Sequence, residues 1–215
     1  IYYLVGALQG WDQEAKTCMF YPESQTVQTY TTQWTGDGNL KIWDENNFGD
    51  WNNCIGAATD GDNAASGKLV TSNAGAIVCP EKGAFYTLKV DFETMSYTWT
   101  KLENQTPKEF EKIGLIGGFN NWDGDENMTA TAPHNWTAEV TFATDTELKF
   151  RANGGWDDNW GAGVNVAEKY YGTGTNGGDN IKVPAGTYNV FFNDITGEIV
   201  FAAKKTNDIK NIKNK

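Results

Sequence analysis

Three stretches of this chain are written twice, in the same order. LVGALQGWD at 4–12 matches LIGGFNNWD at 115–123. LKIWDENNFGDWNNCIGA at 40–57 matches LKFRANGGWDDNWGAGV at 148–164, and KGAFYTLKVDFETMSYTW at 82–99 matches AGTYNVFFNDITGEIVF at 185–201. Loops differ in length between the copies while the order of blocks holds. A duplicated order of blocks means one supersecondary unit used twice, so the 215 residues are two tandem modules. The expected bounds are 1–101 and 113–204, joined by a polar linker at 102–112 that contains Pro107 and followed by a polar C-terminal tail at 205–215.

Each module reads as short strands. In NWTAEVTFA, Trp136, Ala138, Val140 and Phe142 alternate with Thr137, Glu139 and Thr141, the period-two pattern of a half-buried strand. Tyr86, Leu88, Val90 and Phe92 repeat it in the first module. Gly, Asn and Asp clusters separate the runs, and no long helical period intervenes. Roughly 100 residues of short alternating strands predict an immunoglobulin-like β-sandwich, so the fold class expected is all-β with two tandem sandwiches; a small barrel is the alternative.

Charge and composition remove several classes of function. Seventeen Lys plus Arg against 28 Asp plus Glu leave a formal charge of -11, which repels phosphate backbones and anionic membranes, so no nucleic-acid partner is expected. No run approaches the ~18 consecutive apolar residues of a membrane helix. The chain opens in a strand-like run, IYYLVG, and reads as an excised piece, with any export signal or lipid anchor upstream. Three cysteines, Cys18, Cys54 and Cys79, have no metal-site spacing and are expected to be small buried residues; the single His134 is expected in a loop turn. No metal and no cofactor is expected. The DGDEN run falls short of a calcium loop, because Met128 stands where Gly is needed and His134 where Glu is needed.

Nine Trp, nine Tyr and eleven Phe are a heavy aromatic load, and the strand pattern says where some of them point. In the second module Leu148 and Phe150 alternate with Lys149 and Arg151, so the first pair faces the core and the second pair solvent. Asn153 and Trp156 follow in a Gly-rich turn. In the first module Leu40 and Ile42 face inward, which puts Lys41 and Trp43 outside, with Trp43 at the position of Arg151. An exposed indole beside Lys, Arg and Asn suits a neutral sugar, whose C–H face stacks on the ring while its hydroxyls bond the polar groups.

The blocks GGFNNWD, LKFRANGGW and GGDNIKVPAGTYNV, in that order, resemble the starch-binding modules related to glycogen-binding domains. The tandem arrangement and the FRANGGWDDNWG run more closely resemble the SusE and SusF type of surface lipoprotein from bacterial starch-utilisation systems. The resemblance covers nearly all of both modules. It implies non-catalytic binding of starch and maltooligosaccharides at the outer surface of an outer membrane, beside other surface components of such a system. Membrane attachment would come only through a lipid anchor upstream of this chain. The family platform, a Trp after Gly-x-Phe-Asn-x and a second Trp beyond a strand Lys, matches Trp122, Lys149 and Trp156, with Asn180 of GGDNI as the polar partner on the next turn.

The first module departs from this pattern. Trp11 and Lys41 keep their places, but Phe48 stands for Trp156 and Ala76 for Asn180, so its site is expected to be weaker and shifted onto Trp43. Trp51 and Trp160 recur behind an Asp or Asn and read as scaffold, with Trp160 bordering the site. Acids at 123, 125, 126, 157 and 158 leave a hydrolase as one rival reading, although turns attract Asp for backbone reasons alone. An adhesin for another glycan or a protein is the other.

Overall fold

A computed structural model describes residues 1–104 and 106–204; the tail expected at 205–215 lies outside the described residues. The chain divides into two units, one of Ile1–Pro107 with Thr131–Asn135 and one of Lys108–Ala130 with the chain from Trp136 onward. Both are built from antiparallel sheets, and the fold is two tandem immunoglobulin-like β-sandwiches.

In the first unit the shorter sheet has Asn39–Asp44 at its centre, flanked by Tyr2–Gly6 and Ile77–Val78. Its partner sheet runs Tyr21–Pro22, Val27–Gln33, Phe85–Asp91, Ser96–Lys101, Ser66–Val70 and Gly56–Ala57. Leu4, Leu40 and Ile42 from the short sheet meet Leu88, Val90 and Trp99 from the other, with Trp34 completely buried among them. The second unit repeats this plan. Thr146–Ala152 is flanked by Ile113–Gly117 on one side and by Asn159–Gly161 and Ile181–Val183 on the other. The facing sheet centres on Asn135–Phe142, Gly186–Asn193 and Glu198–Ala203. Leu115, Leu148, Phe150, Phe192 and Phe201 fill the core between them.

The strand direction read from alternation holds at Leu148 and Phe150, both fully buried, and the segment is extended throughout. The three cysteines are free and buried. His134 is buried too, at positive φ in the turn that joins Thr129–Ala132 to Asn135–Phe142.

Candidate functional site

The stretch LIGGFNNWD shows how one turn presents a tryptophan. Strand Ile113–Gly117 ends where Gly117 lies against the neighbouring strand: a Cβ there would sit 2.2 Å from the Glu147 carbonyl oxygen, so only glycine fits. One turn of 3-10 helix follows over Gly118–Asn120. Phe119 turns inward and meets the edge of Phe142 at 5.0 Å, which anchors the turn to the core. The Asn120 side chain accepts from the Gly117 N–H at 2.9 Å and donates to the Gly124 carbonyl, holding both ends of the turn. Asn121 and Trp122 then both take left-handed backbone at φ 56, and the Trp122 N–H closes onto the Gly117 carbonyl at 2.9 Å. Left-handed backbone costs a bulky residue roughly 1–2 kcal/mol. That strain is held by the hydrogen bonds around it and leaves the indole 39 % exposed.

LVGALQGWD makes the same turn. Gly6 approaches the Asn39 carbonyl, Gln9 accepts from the Gly6 N–H at 3.0 Å, and Gly10 and Trp11 are left-handed at φ 66 and 57.

A second indole meets each of these. The Trp122 and Trp156 ring centres lie 6.4 Å apart with planes inclined by 37°. In the first unit the partner of Trp11 is Trp51, at 6.3 Å and 47°. Lys149 Nζ lies 5.9 Å from the Trp156 ring, and Lys41 Nζ lies 5.5 Å from the Trp51 ring. Two units thus carry the same constellation, two tilted indoles with a lysine at their base; both rings are exposed in the second unit, whereas in the first Trp51 is exposed and Trp11 is half-buried.

This corrects the sequence reading of the first module. Trp51, read there as scaffold, is 38 % exposed and is the counterpart of Trp156. Phe48, placed at that position by spacing, is half-buried and packs edge-on against Trp43 at 4.9 Å and Tyr3 at 5.7 Å. The loop after Lys41 is longer than the loop after Lys149, so equal spacing pointed to the wrong ring. Trp43, expected in solvent, is fully buried. It does project from the outer face of its strand, but Val5, Cys54, Trp11 and Phe48 cover it and form a second small core there. Its indole N–H donates to the Asp50 carbonyl at 2.9 Å, and its ring lies 4.3 Å from that of Trp51. Trp43 therefore supports the exposed pair from beneath. Truncating a buried Trp to Ala costs about 3–5 kcal/mol. Denaturant unfolding of Trp43→Ala is expected to show a loss of that size, whereas a loss under about 1 kcal/mol would contradict a core role.

Trp160 has the scaffold role read for it: it is buried, edge-on to Phe192 at 5.0 Å and paired with Phe150 on the neighbouring strand, so it lies in the core and not at the border of the exposed surface.

In the second unit the position of Trp43 is held by Arg151, and it too is not the free charge expected from alternation. Its Nε donates to Asp125 at 2.7 Å and its Nη2 to the other carboxylate oxygen at 3.3 Å, with side chains only 11 % and 14 % exposed. Arg151 pairs across the sheet with Gly114, where a Cβ would come within 2.7 Å of the Asp125 Cβ. Glycine at 114 is what allows Asp125 to reach down beside the arginine. The Arg151 guanidinium then lies 4.8 Å from the Trp156 ring. One ion pair therefore joins the segment that carries Trp122 to the ring of Trp156. The first unit fills the same cross-strand pair with Tyr3 and Trp43, both buried.

Asn153 is spent on the backbone, its side-chain oxygen accepting from the N–H groups of Glu111 and Lys112, both at 3.1 Å. The polar residue that matters more, and that sequence reasoning missed, is Asn159. It is buried, accepts from the Lys149 ammonium, and donates to the Trp156 carbonyl at 2.9 Å. It fixes the lysine and the turn of Trp156 together. Burial holds the Lys149 ammonium below the usual lysine range, with the Asp179 carboxylate pulling the other way. Asn180 is exposed just before the strand that pairs with Thr146–Ala152, and register places Ala76 at the equivalent position of the first unit. In that unit Lys41, Trp51, Asn52, Ser72 and Asn73 line a polar hollow of about 380 Å³.

Two of the five acids weighed for hydrolysis have other occupations. Asp125 is tied to Arg151, and Asp158 accepts from Lys108 at 2.7 Å. Among the described residues no three His, Cys, Asp or Glu side chains gather to hold a metal. Nor is any helix among them long and apolar enough to cross a membrane.

Fold and site together define an all-β module in which a tilted indole pair is set over a lysine, present twice. Residues 1–101 match the family described as SusF, first starch specific CBM, a carbohydrate-binding module. Outer membrane protein SusF of Bacteroides thetaiotaomicron is 26 % identical over 220 residues, covering 96 % of this chain and 45 % of that protein. The chain is therefore similar to SusF, as the resemblance in sequence implied, and spans about half the length of that relative. The crystal structure of SusF from the same organism aligns with 95 % of this chain and 48 % of its own, at 19 % identity and a TM-score of 0.40.

Proposed function

We propose that each module holds a starch-like α-glucan by stacking two glucose faces on its tilted indole pair, and that the chain cleaves nothing. The observation that carries this is the repeated pair, 6.4 Å and 37° in one unit and 6.3 Å and 47° in the other. Coplanar rings would suit the flat ribbon of a β-1,4-glucan. Rings inclined by 37° suit a chain whose successive sugars turn, as α-1,4-linked glucose does. Lys149, or Lys41 in the first module, donates to sugar hydroxyls at the base of the pair, and Asn180 adds a donor and an acceptor in the second module alone. The modules proposed are 1–101 and 113–204 with the linker at 102–112. The match of residues 1–101 to a starch-specific family and the likeness to an outer membrane protein support a place on the outer surface of an outer membrane, among other components of a starch-utilisation system.

Native electrophoresis in gels containing amylopectin, or a soluble cellulose derivative instead, tests this reading. Retardation by amylopectin alone, without new reducing ends after incubation, is expected. Equal retardation in both gels would favour an adhesin of broader specificity, and new reducing ends would favour a hydrolase.

A further inference from the structure

The outer face of the second module does not stop at the indole pair. Side chains of strand Thr146–Ala152 that point away from the core are Arg151, Lys149 and Glu147, about 7 Å apart along the strand. Arg151 and Lys149 lie at the Trp156 ring, and Glu147 is the next step outward. Opposite Glu147, across the pairing with Ile181–Val183, stands Lys182, exposed between two buried residues. Asn165 bridges to Lys182 from the far side. Together with Thr146 and Pro184 these residues line a groove of about 450 Å³. Among the described residues Glu147 and Lys182 face each other without forming an ion pair, so both keep their bonding capacity for something else.

We propose that this groove is a second sugar subsite, taking further glucose units of the same α-glucan chain that stacks on Trp122 and Trp156. The inference rests on the starch-binding reading above and adds a length preference to it. A groove one strand step from Lys149, with charged side chains set among Ala167, Val183 and Pro184, continues the path of a ligand seated there. Its lining of two carboxylates (Asp145 and Glu147), one ammonium and one amide supplies acceptors and donors to hydroxyls and offers no aromatic ring for stacking. It therefore strengthens the hold on a long chain without being able to bind a short one alone.

The test uses the full chain with Trp11→Ala and Trp51→Ala, so that only the second module reports. Calorimetric titration with maltotriose and with maltoheptaose is compared between that protein and versions also carrying Lys182→Ala or Glu147→Ala. The loss of a hydrogen bond of ordinary net strength predicts that maltoheptaose affinity falls roughly three- to tenfold in each, with maltotriose affinity changed less than about twofold. Unchanged maltoheptaose affinity in both variants, or equal losses for both sugars, overturns the subsite. If the parent protein binds neither sugar while still folded, the starch-binding reading itself fails, and the subsite with it.

Discussion

Replacing Trp122 and Trp156 together by alanine is expected to abolish measurable maltooligosaccharide binding by the second module. Both rings are exposed and stand outside the core, Trp156 over Arg151 and Lys149, so their removal takes away the stacking surface and leaves the core intact. Stacking of one sugar face is worth on the order of 1.5 kcal/mol, so each single change should cost roughly tenfold in affinity and the pair roughly a hundredfold. Thermal unfolding of the double variant should stay close to that of the parent. The equivalent changes at Trp11 and Trp51 should cost less in total binding, because the Ala76 side chain has no hydrogen-bonding group where Asn180 carries an amide. Titration of the two double variants with one maltooligosaccharide decides the order. A larger loss from the first module would show that Asn180 contributes nothing.

The ion pair beneath Trp156 predicts the largest effect on stability. Asp125→Ala would leave the Arg151 guanidinium nearly buried and unpaired, a situation that costs about 3–5 kcal/mol. Adding Arg151→Met should recover much of that loss, since it removes the unpaired charge and an apolar side chain suits the position, as Trp43 does in the first unit. Denaturant unfolding of the two single variants and the double variant gives the coupling directly. Recovered stability without recovered binding would assign the pair to orienting the indoles. A single-variant loss below about 1 kcal/mol would mean that the arginine simply turns out into water.

The strands and the duplication were open to reading because they rest on local patterns. Alternation alone puts Leu148 and Phe150 inside, and register then follows. The fate of outward residues was not open in the same way. Alternation gives the face on which Trp43 and Arg151 stand but not what lies over that face. Trp43 is covered by Phe48 and Trp11, and Arg151 meets Asp125 from 26 residues away in sequence. Loop length hid the other key residue. Counting from Lys41 as from Lys149 leads to Phe48, while the longer turn carries the indole on to Trp51. Asn159 left no trace, because an Asn beside Asp in a turn looks the same whether or not it reaches back to a lysine. The positive-φ turn at Trp11 and Trp122 was not legible either, because LVGALQGWD and LIGGFNNWD show that a tryptophan recurs and not which backbone conformation holds it out.

The most direct test of the central claim is the stoichiometry of maltoheptaose binding in solution. Two indole pairs per chain predict two sugars bound per chain, falling to one when Trp122 and Trp156 are replaced, to one when Trp11 and Trp51 are replaced, and to none when all four are gone. A four-fold variant that remains folded and still binds maltoheptaose as the parent does would contradict the assignment of these rings as the binding sites.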